Sequence, residues 1–338
     1  KSSNLSMLLK LWAKTDERGD SDRYHPLLYH LIDAAAVAEA LWNEVLTSSM
    51  RARLEDALGS RDISCLIIFT AAAHDIGKAT PGFQKKVSHL AESIKLTIPE
   101  HCEDRGHGPA TTSVLEDLGK DLGRPFANPS LLATIAGGHH GVFPRSDDLH
   151  YIGPDALGNR DWEATRKQVL RLVSSVIGPP IEAIPCELDI DCVLDPHIVP
   201  VLAAFVTVAD WIASNQSYFS CAATAGGQSE QDLEEYWLLA QTRARAALEG
   251  LGWLPGVNPA PETSFEHVFP FQPNYLQQVS RDFACAQWSP YLMIIEAPMG
   301  LGKTEAALFA ADLALCRGIA RGLYVAMPTQ ATTNAVSY

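Results

Sequence analysis

Residues 71–84 read AAAHDIGKATPGFQ. An apolar run that starts near Ile63 ends here in a His74-Asp75 doublet, so core-forming residues give way abruptly to charge. Neighbours on a helix point about 100° apart, and both can reach one ion only if it lies against the helix end. Taken alone, the doublet is better explained as a helix-end carboxylate beside a partly exposed imidazole. Four other places change the weighing: His30 in LLYHLIDAAAVAEALW, His107 in RGHGPATTSVLEDL, His139-His140 in IAGGHHGVFP, and Asp210 in VTVADWIASN. Histidines and an aspartate buried on apolar helices need compensating charge. A pair of divalent cations supplies it, and a mixed imidazole and carboxylate set suits Mn, Fe, Co, Ni or Zn. Lys78, three residues after Asp75, faces the same place if the helix continues and becomes a candidate for contacting a phosphate oxygen. A solvated lysine at a helix end is the plainer alternative. Ser214 follows Asp210 by one turn and can equally well serve only the helix backbone.

Outward from this stretch, residues 5 to 250 repeat apolar positions at three and four, with Gly, Pro, Asn and Asp at the breaks. The expectation is an all-α domain with helices at 26–45, 63–78, 111–118, 129–139, 162–177 and 196–215, and loops at 143–161 and 178–194. His25, His89, His101, His150, His197 and His267 have no partner at a useful spacing and read as ordinary surface or loop histidines. His101-Cys102 is the pair that would replace His107 if the helix register were different. A proline-dense stretch at 251–273 reads as a linker.

Beyond it the character changes. Tyr291–Ala297 (YLMIIEA) and Gly322–Met327 (GLYVAM) read as short strands flanking an alanine-rich helix from Lys303 to Arg317, a βαβ unit of a parallel sheet. The turn between them, in EAPMGLGKTEAAL, places Gly300, Gly302, Lys303 and Thr304 where backbone amides cradle phosphates, the lysine reaches the outer phosphates and the threonine ligates Mg. Ala297 stands where the strict motif has its first glycine.

The formal net charge is -14, against the usual preference of nucleic-acid enzymes for a basic surface. Bound cations would offset that locally. The seven cysteines form no CxxC pair, which excludes a disulfide framework or a zinc ribbon and fits a reducing, cytoplasmic setting. No apolar run approaches the roughly 18 residues of a membrane span, so no membrane is expected among the partners.

The ordered set His30; His74, Asp75 and Lys78; His107; His139 and His140; Asp210 resembles the HD nuclease domain of the CRISPR-associated helicase-nuclease of type I systems. EAPMGLGKTEAAL followed by MPTQATTNA resembles the first motor domain of its superfamily 2 helicase. The resemblance implies a mainly α fold: an all-α HD-type metal-dependent phosphohydrolase domain at 1–250, a linker at 251–273, and the start of a RecA-like α/β motor domain at 274–338, truncated and unable to hydrolyse ATP. It implies that His30, His74, Asp75 and Asp210 hold one ion while Asp75, His107, His139 and His140 hold a second, with Asp75 bridging, and that His74, Asp75, Lys78 and Asp210 act in catalysis. Gln277 would read adenine, with Gln272 and Gln278 as competitors. The activity implied is metal-dependent cleavage of single-stranded DNA, with two transition-metal ions and, in the motor, ATP and Mg. An RNA-guided surveillance complex that has opened target DNA would recruit it. The competing expectation is a phosphohydrolase acting on nucleotides or cyclic dinucleotides.

Overall fold

The structure is a computed structural model that describes residues 2–16, 23–58, 63–121, 129–178, 197–221, 223–224, 232–254, 264–320 and 322–326. It divides into two compact units, 1–249 and 250–338.

At the centre of the first unit lies α1 (Leu27–Ala40), in which every residue from Leu27 to Ala38 is buried. A helix apolar on all sides has no solvent face to offer, and this one is enclosed by its neighbours. α2 (Ser64–Ala73) and α6 (Ile198–Ala213) both pack on it, and α5 (Arg160–Ile177) covers α1 and α2. α3 (His107–Asp121) pairs with α4 (Pro129–Gly137), and α4 also touches α2 and α6. The ends of α2 and α4, the first turns of α3 and α1 and the last turn of α6 therefore converge. α7 (Leu233–Gly250) packs Tyr236 face to face on Tyr29 of α1, with ring centroids 3.8 Å apart.

The expected helices are present with small changes of extent. The first passes into a π-helical turn at Leu41–Val45. The 63–78 helix stops at Ala73 and resumes as a 3-10 turn, Ile76–Lys78. The loop at 143–161 contains two short helices, Ser146–His150 and Pro154–Leu157. The 178–194 loop falls almost wholly outside the described residues.

The first unit is not all-α. A small antiparallel sheet joins β1 (Trp12–Thr15), β2 (Arg23–Pro26) and β3 (Ala223–Thr224) in that order. It fastens the start of the chain to the segment after α6. Gln84, fully buried, holds β1 against the turn that carries Lys78. Its amide oxygen accepts from the Trp12 N–H (3.1 Å), and its amide nitrogen donates to the carbonyls of Trp12 (2.9 Å) and Lys78 (2.9 Å). Trp12 stacks on Phe83 and donates its indole N–H to the Gln84 carbonyl (3.2 Å).

In the second unit α8 (Tyr275–Cys285) packs along α9 (Lys303–Cys316). The two expected strands carry no ladder among the described residues. Residues 291–296 nevertheless alternate strictly between half-buried and exposed, with Leu292 83% and Ile294 76% exposed. That is the period of a strand with one face on the helix layer, while strand identity also requires a hydrogen-bonded neighbour. The end of the proposed linker is ordered: Phe265–Val268 is a short helix, and Phe265 is buried against Phe309 of α9.

Candidate metal centre and phosphate loop

The histidines and aspartates singled out in the sequence converge in the first unit as two sets. His30, His74, Asp75 and Asp210 form one, and His107, His139 and His140 the other; within each, one ligand-type atom per residue lies within 4.8 Å of all the rest. Asp75 stands between them. Its Oδ2 is 3.0 Å from His30 Nε2 and 3.3 Å from His74 Nε2, while its Oδ1 is 3.4 Å from His107 Nε2 and 3.6 Å from His139 Nε2. Asp210 Oδ1 closes the first set at 3.3 Å from His30 and 3.4 Å from His74. His107 and His140 meet Nε2 to Nε2 at 2.8 Å.

The local folding explains the aim of these groups. α2 ends at Ala73, so Asp75 has left the helix (φ -107, ψ 13) and turns back toward the cap. His74 and His139 both donate Nδ1–H to the carbonyl three residues earlier, Ala71 or Ala136, at 2.6 Å. That bond fixes the tautomer and leaves the Nε2 lone pair pointing inward. His74 Nε2, His139 Nε2 and Asp75 Oδ1 are buried without a hydrogen-bond partner. Three orphaned buried polar atoms on converging groups are what metal ligands look like without the metal.

The electrostatics of the centre are uneven. Burial works against protonation of His74, yet the Asp75 and Asp210 carboxylates override it and lift the imidazole to about 10. His30, equally buried, is pushed down by desolvation and by the Lys14 charge. Desolvation also depresses His107 to about 4 and His139 to about 3. Burial opposes ionisation of both carboxylates; even so, Asp75 is held well below the usual range by Lys78 and His74, and Asp210 by the facing imidazoles of His30 and His74.

Lys78 lies 2.6 Å from Asp75 Oδ2, delivered by the 3-10 turn rather than by a continuing helix. Ser214 donates to Asp210 Oδ1 at 2.8 Å, more than the backbone service open to it in the sequence. Lys14, which the sequence did not single out, donates from β1 to Ser214 Oγ at 2.5 Å; desolvation lowers its ammonium to about 8. The competing His101 is exposed and outside both sets. His25, read as a surface histidine, is 2% exposed and pairs with buried Asp33 at 2.7 Å, and the Tyr236 hydroxyl donates to the same carboxylate.

In the second unit Gly300, Gly302, Lys303 and Thr304 border a cavity of about 430 Å³ together with Gln277. Gly302 has φ +77, and a Cβ there would lie 2.2 Å from Gln277 Nε2. Gln277 donates to the Gly302 carbonyl at 3.3 Å and forms a reciprocal cap with Asn274. Of the competing glutamines, Gln278 donates to Pro273 instead, while exposed Gln272 also borders the cavity. Lys303 Nζ bonds back to the Ala297 and Pro298 carbonyls (2.6 and 2.9 Å). The MPTQATTNA motif lies outside the described residues.

A family model described as "Cas3, HD domain" matches residues 12–219. The CRISPR-associated endonuclease/helicase Cas3 of Thermus thermophilus is 33% identical over 337 residues, covering 97% of this chain and 35% of that protein. The crystal structure of T. fusca Cas3 with ATP superposes with a TM-score of 0.65 at 30% identity, over 97% of this chain and 36% of the other. The structure of the T. thermophilus Cas3 HD domain in the presence of Ni²⁺ matches with a TM-score of 0.53 at 27% identity, over 73% of this chain and 92% of the other. The chain thus spans little more than a third of the length of the curated relatives it matches.

Proposed function

The chain belongs to the Cas3 HD-domain family, and from that premise we propose that its helical unit is a metal-dependent nuclease acting on single-stranded DNA. The observation that carries the reading is the position of Asp75, one carboxylate with an oxygen toward each of two donor sets. His30, His74, Asp75 and Asp210 would hold one divalent ion, and Asp75, His107, His139 and His140 the second. Mn, Fe, Co and Ni all suit these donors. Such ions polarise a phosphate and make water nucleophilic near neutral pH. The protein's own part is to hold the ligands, keep His107 and His139 neutral, and present Lys78 beside Asp75, where its ammonium can also face a phosphate oxygen.

The second unit would bind ATP with Mg, using Lys303 and the amides around Gly300 and Gly302 for the phosphates, Thr304 for the ion and Gln277 for the base. In the whole protein this nuclease would be fed by an ATP-dependent helicase and recruited to opened target DNA by an RNA-guided CRISPR surveillance complex, degrading foreign DNA in the cytoplasm. The names of the relatives support that setting, as does the resemblance of the motifs.

The test is cleavage of circular single-stranded DNA by metal-stripped protein with each ion added back, beside an Asp75→Asn variant and mononucleotide substrates. Nicking that needs the ion and disappears in the variant is expected. Phosphate release from mononucleotides without DNA cleavage would replace this reading by a nucleotide phosphohydrolase.

A further inference from the structure

His74 and His139 stand just past the ends of their helices and are held alike. Each donates Nδ1–H to the carbonyl three residues back, each is fully buried, and the rings meet edge to face with centroids 4.8 Å apart. Their own backbone carbonyls lie past the last helical turn, where intrahelical partners run out. Both find a threonine hydroxyl on another helix. Thr111 Oγ1, fully buried, donates to the His74 carbonyl at 2.9 Å and accepts the Gly77 N–H at 2.9 Å. Thr207 Oγ1 donates to the His139 carbonyl, sharing its single proton with the Ala203 carbonyl 2.8 Å away on its own helix.

The partners are crossed. Thr111 belongs to α3, which begins with His107 of the second ligand set, and it grips His74 of the first. Thr207 sits one turn before Asp210 of the first set on α6, and it grips His139 of the second. Each hydroxyl therefore ties a histidine backbone of one set to the helix that delivers a ligand of the other.

Building on the two-ion reading above, we propose that Thr111 and Thr207 are positioning residues that fix the separation of the two ligand sets across Asp75. Filling a buried carbonyl is a duty any threonine can perform; linking the sets crosswise makes the distance between two bound ions depend on these hydroxyls. Thr111 carries more of this than Thr207, because its proton is undivided and it also secures the turn that carries Asp75 and Lys78.

The experiment uses full-length protein loaded with Mn²⁺ and reads two quantities: affinity for the second ion by calorimetric titration, and spin coupling between the ions by electron paramagnetic resonance. Thr111→Val and Thr207→Val keep the shape and remove the hydroxyl; Thr111→Ser and Thr207→Ser restore it. Val169→Ala, at a buried α5 position outside the centre, controls for lost stability alone. The second-ion affinity is expected to fall about tenfold in Thr111→Val, less in Thr207→Val, with weakened spin coupling in both and near-native values in the serine variants. Thr207 is only half-buried and valine there leaves no amide unpartnered, so that variant reports even if Thr111→Val fails to fold. Native affinity and coupling in a folded valine variant, or an equal loss in Val169→Ala, would overturn the proposal while leaving the two-ion centre intact. Failure of the unaltered protein to bind a pair of ions would overturn the centre itself.

Discussion

His74 holds its proton tightly, up to about 10, while His107 and His139 stay neutral down to about 4 and 3. An ion that takes His74 Nε2 must displace that proton. Loading at pH 7 should therefore release about one proton, and affinity should strengthen as pH rises toward 10 because the competing proton is lost. Calorimetry in buffers of different ionisation enthalpy measures the count; a release of zero would contradict the assignment of His74 as a ligand. The same shift has a stability consequence in metal-free protein. A folded-state value above the ordinary 6.5 stabilises the fold fully below that pH, and the benefit disappears as pH rises through about 10.

At this scale the sequence was legible where burial conflicts with charge. His30 and Asp210 stand out because their helices are otherwise apolar, whereas His101 stayed a competitor of His107 until the structure left it exposed and outside both sets. Thr111, Thr207 and Lys14 gave no such signal. A threonine reads the same in a helix whether or not its hydroxyl meets a distant carbonyl, and a lysine in a four-residue strand reads as surface until the strand is seen against Ser214.

Among the elements, the decisive junction is the turn after α2. Gly77 lies so close to α3 that a Cβ would sit 2.1 Å from the His107 carbonyl and 2.6 Å from the Thr111 nitrogen, both backbone atoms that cannot swing aside. Gly77→Ala should cost about 1–3 kcal/mol of stability by overpacking, and it should displace His107 while leaving His30 and Asp210 in place. Urea unfolding and the metal stoichiometry check this together: one retained ion is expected, and two ions at native stability would show that the turn can relax. Most helices were readable from periodicity because they bury a defined face; α1, enclosed on all sides, was readable from its length of apolar sequence. The sheet was not, since β1 and β3 are about 200 residues apart and the latter is two residues long. In the second unit the alternation of 291–296 is real, but no local pattern announces which ladder, if any, the segment joins.

Taken as a whole, the molecule comprises two units, with an imidazole and carboxylate cluster in 1–249 and a candidate phosphate loop in 250–338. Ligands that bind only the native state stabilise the unit that holds them. Calorimetry should show two unfolding transitions, with chelation lowering only the one assigned to the first unit and Lys303→Ala abolishing the shift that ATP and Mg impose on the other. A single transition moved by either ligand would mean that the units do not unfold independently.

The ligand residues themselves run from His30 to Asp210, so the centre has no local nucleus. The imidazoles arrive on four separate stretches of chain, and closing loops of that length costs entropy before any contact returns it. The centre is then complete only once α6, which carries Asp210, has docked on α1, which carries His30. Hydrolytic power would be withheld from every partly made copy, and occupancy of the pair of ions would serve as a certificate that the first two hundred residues had reached their final arrangement.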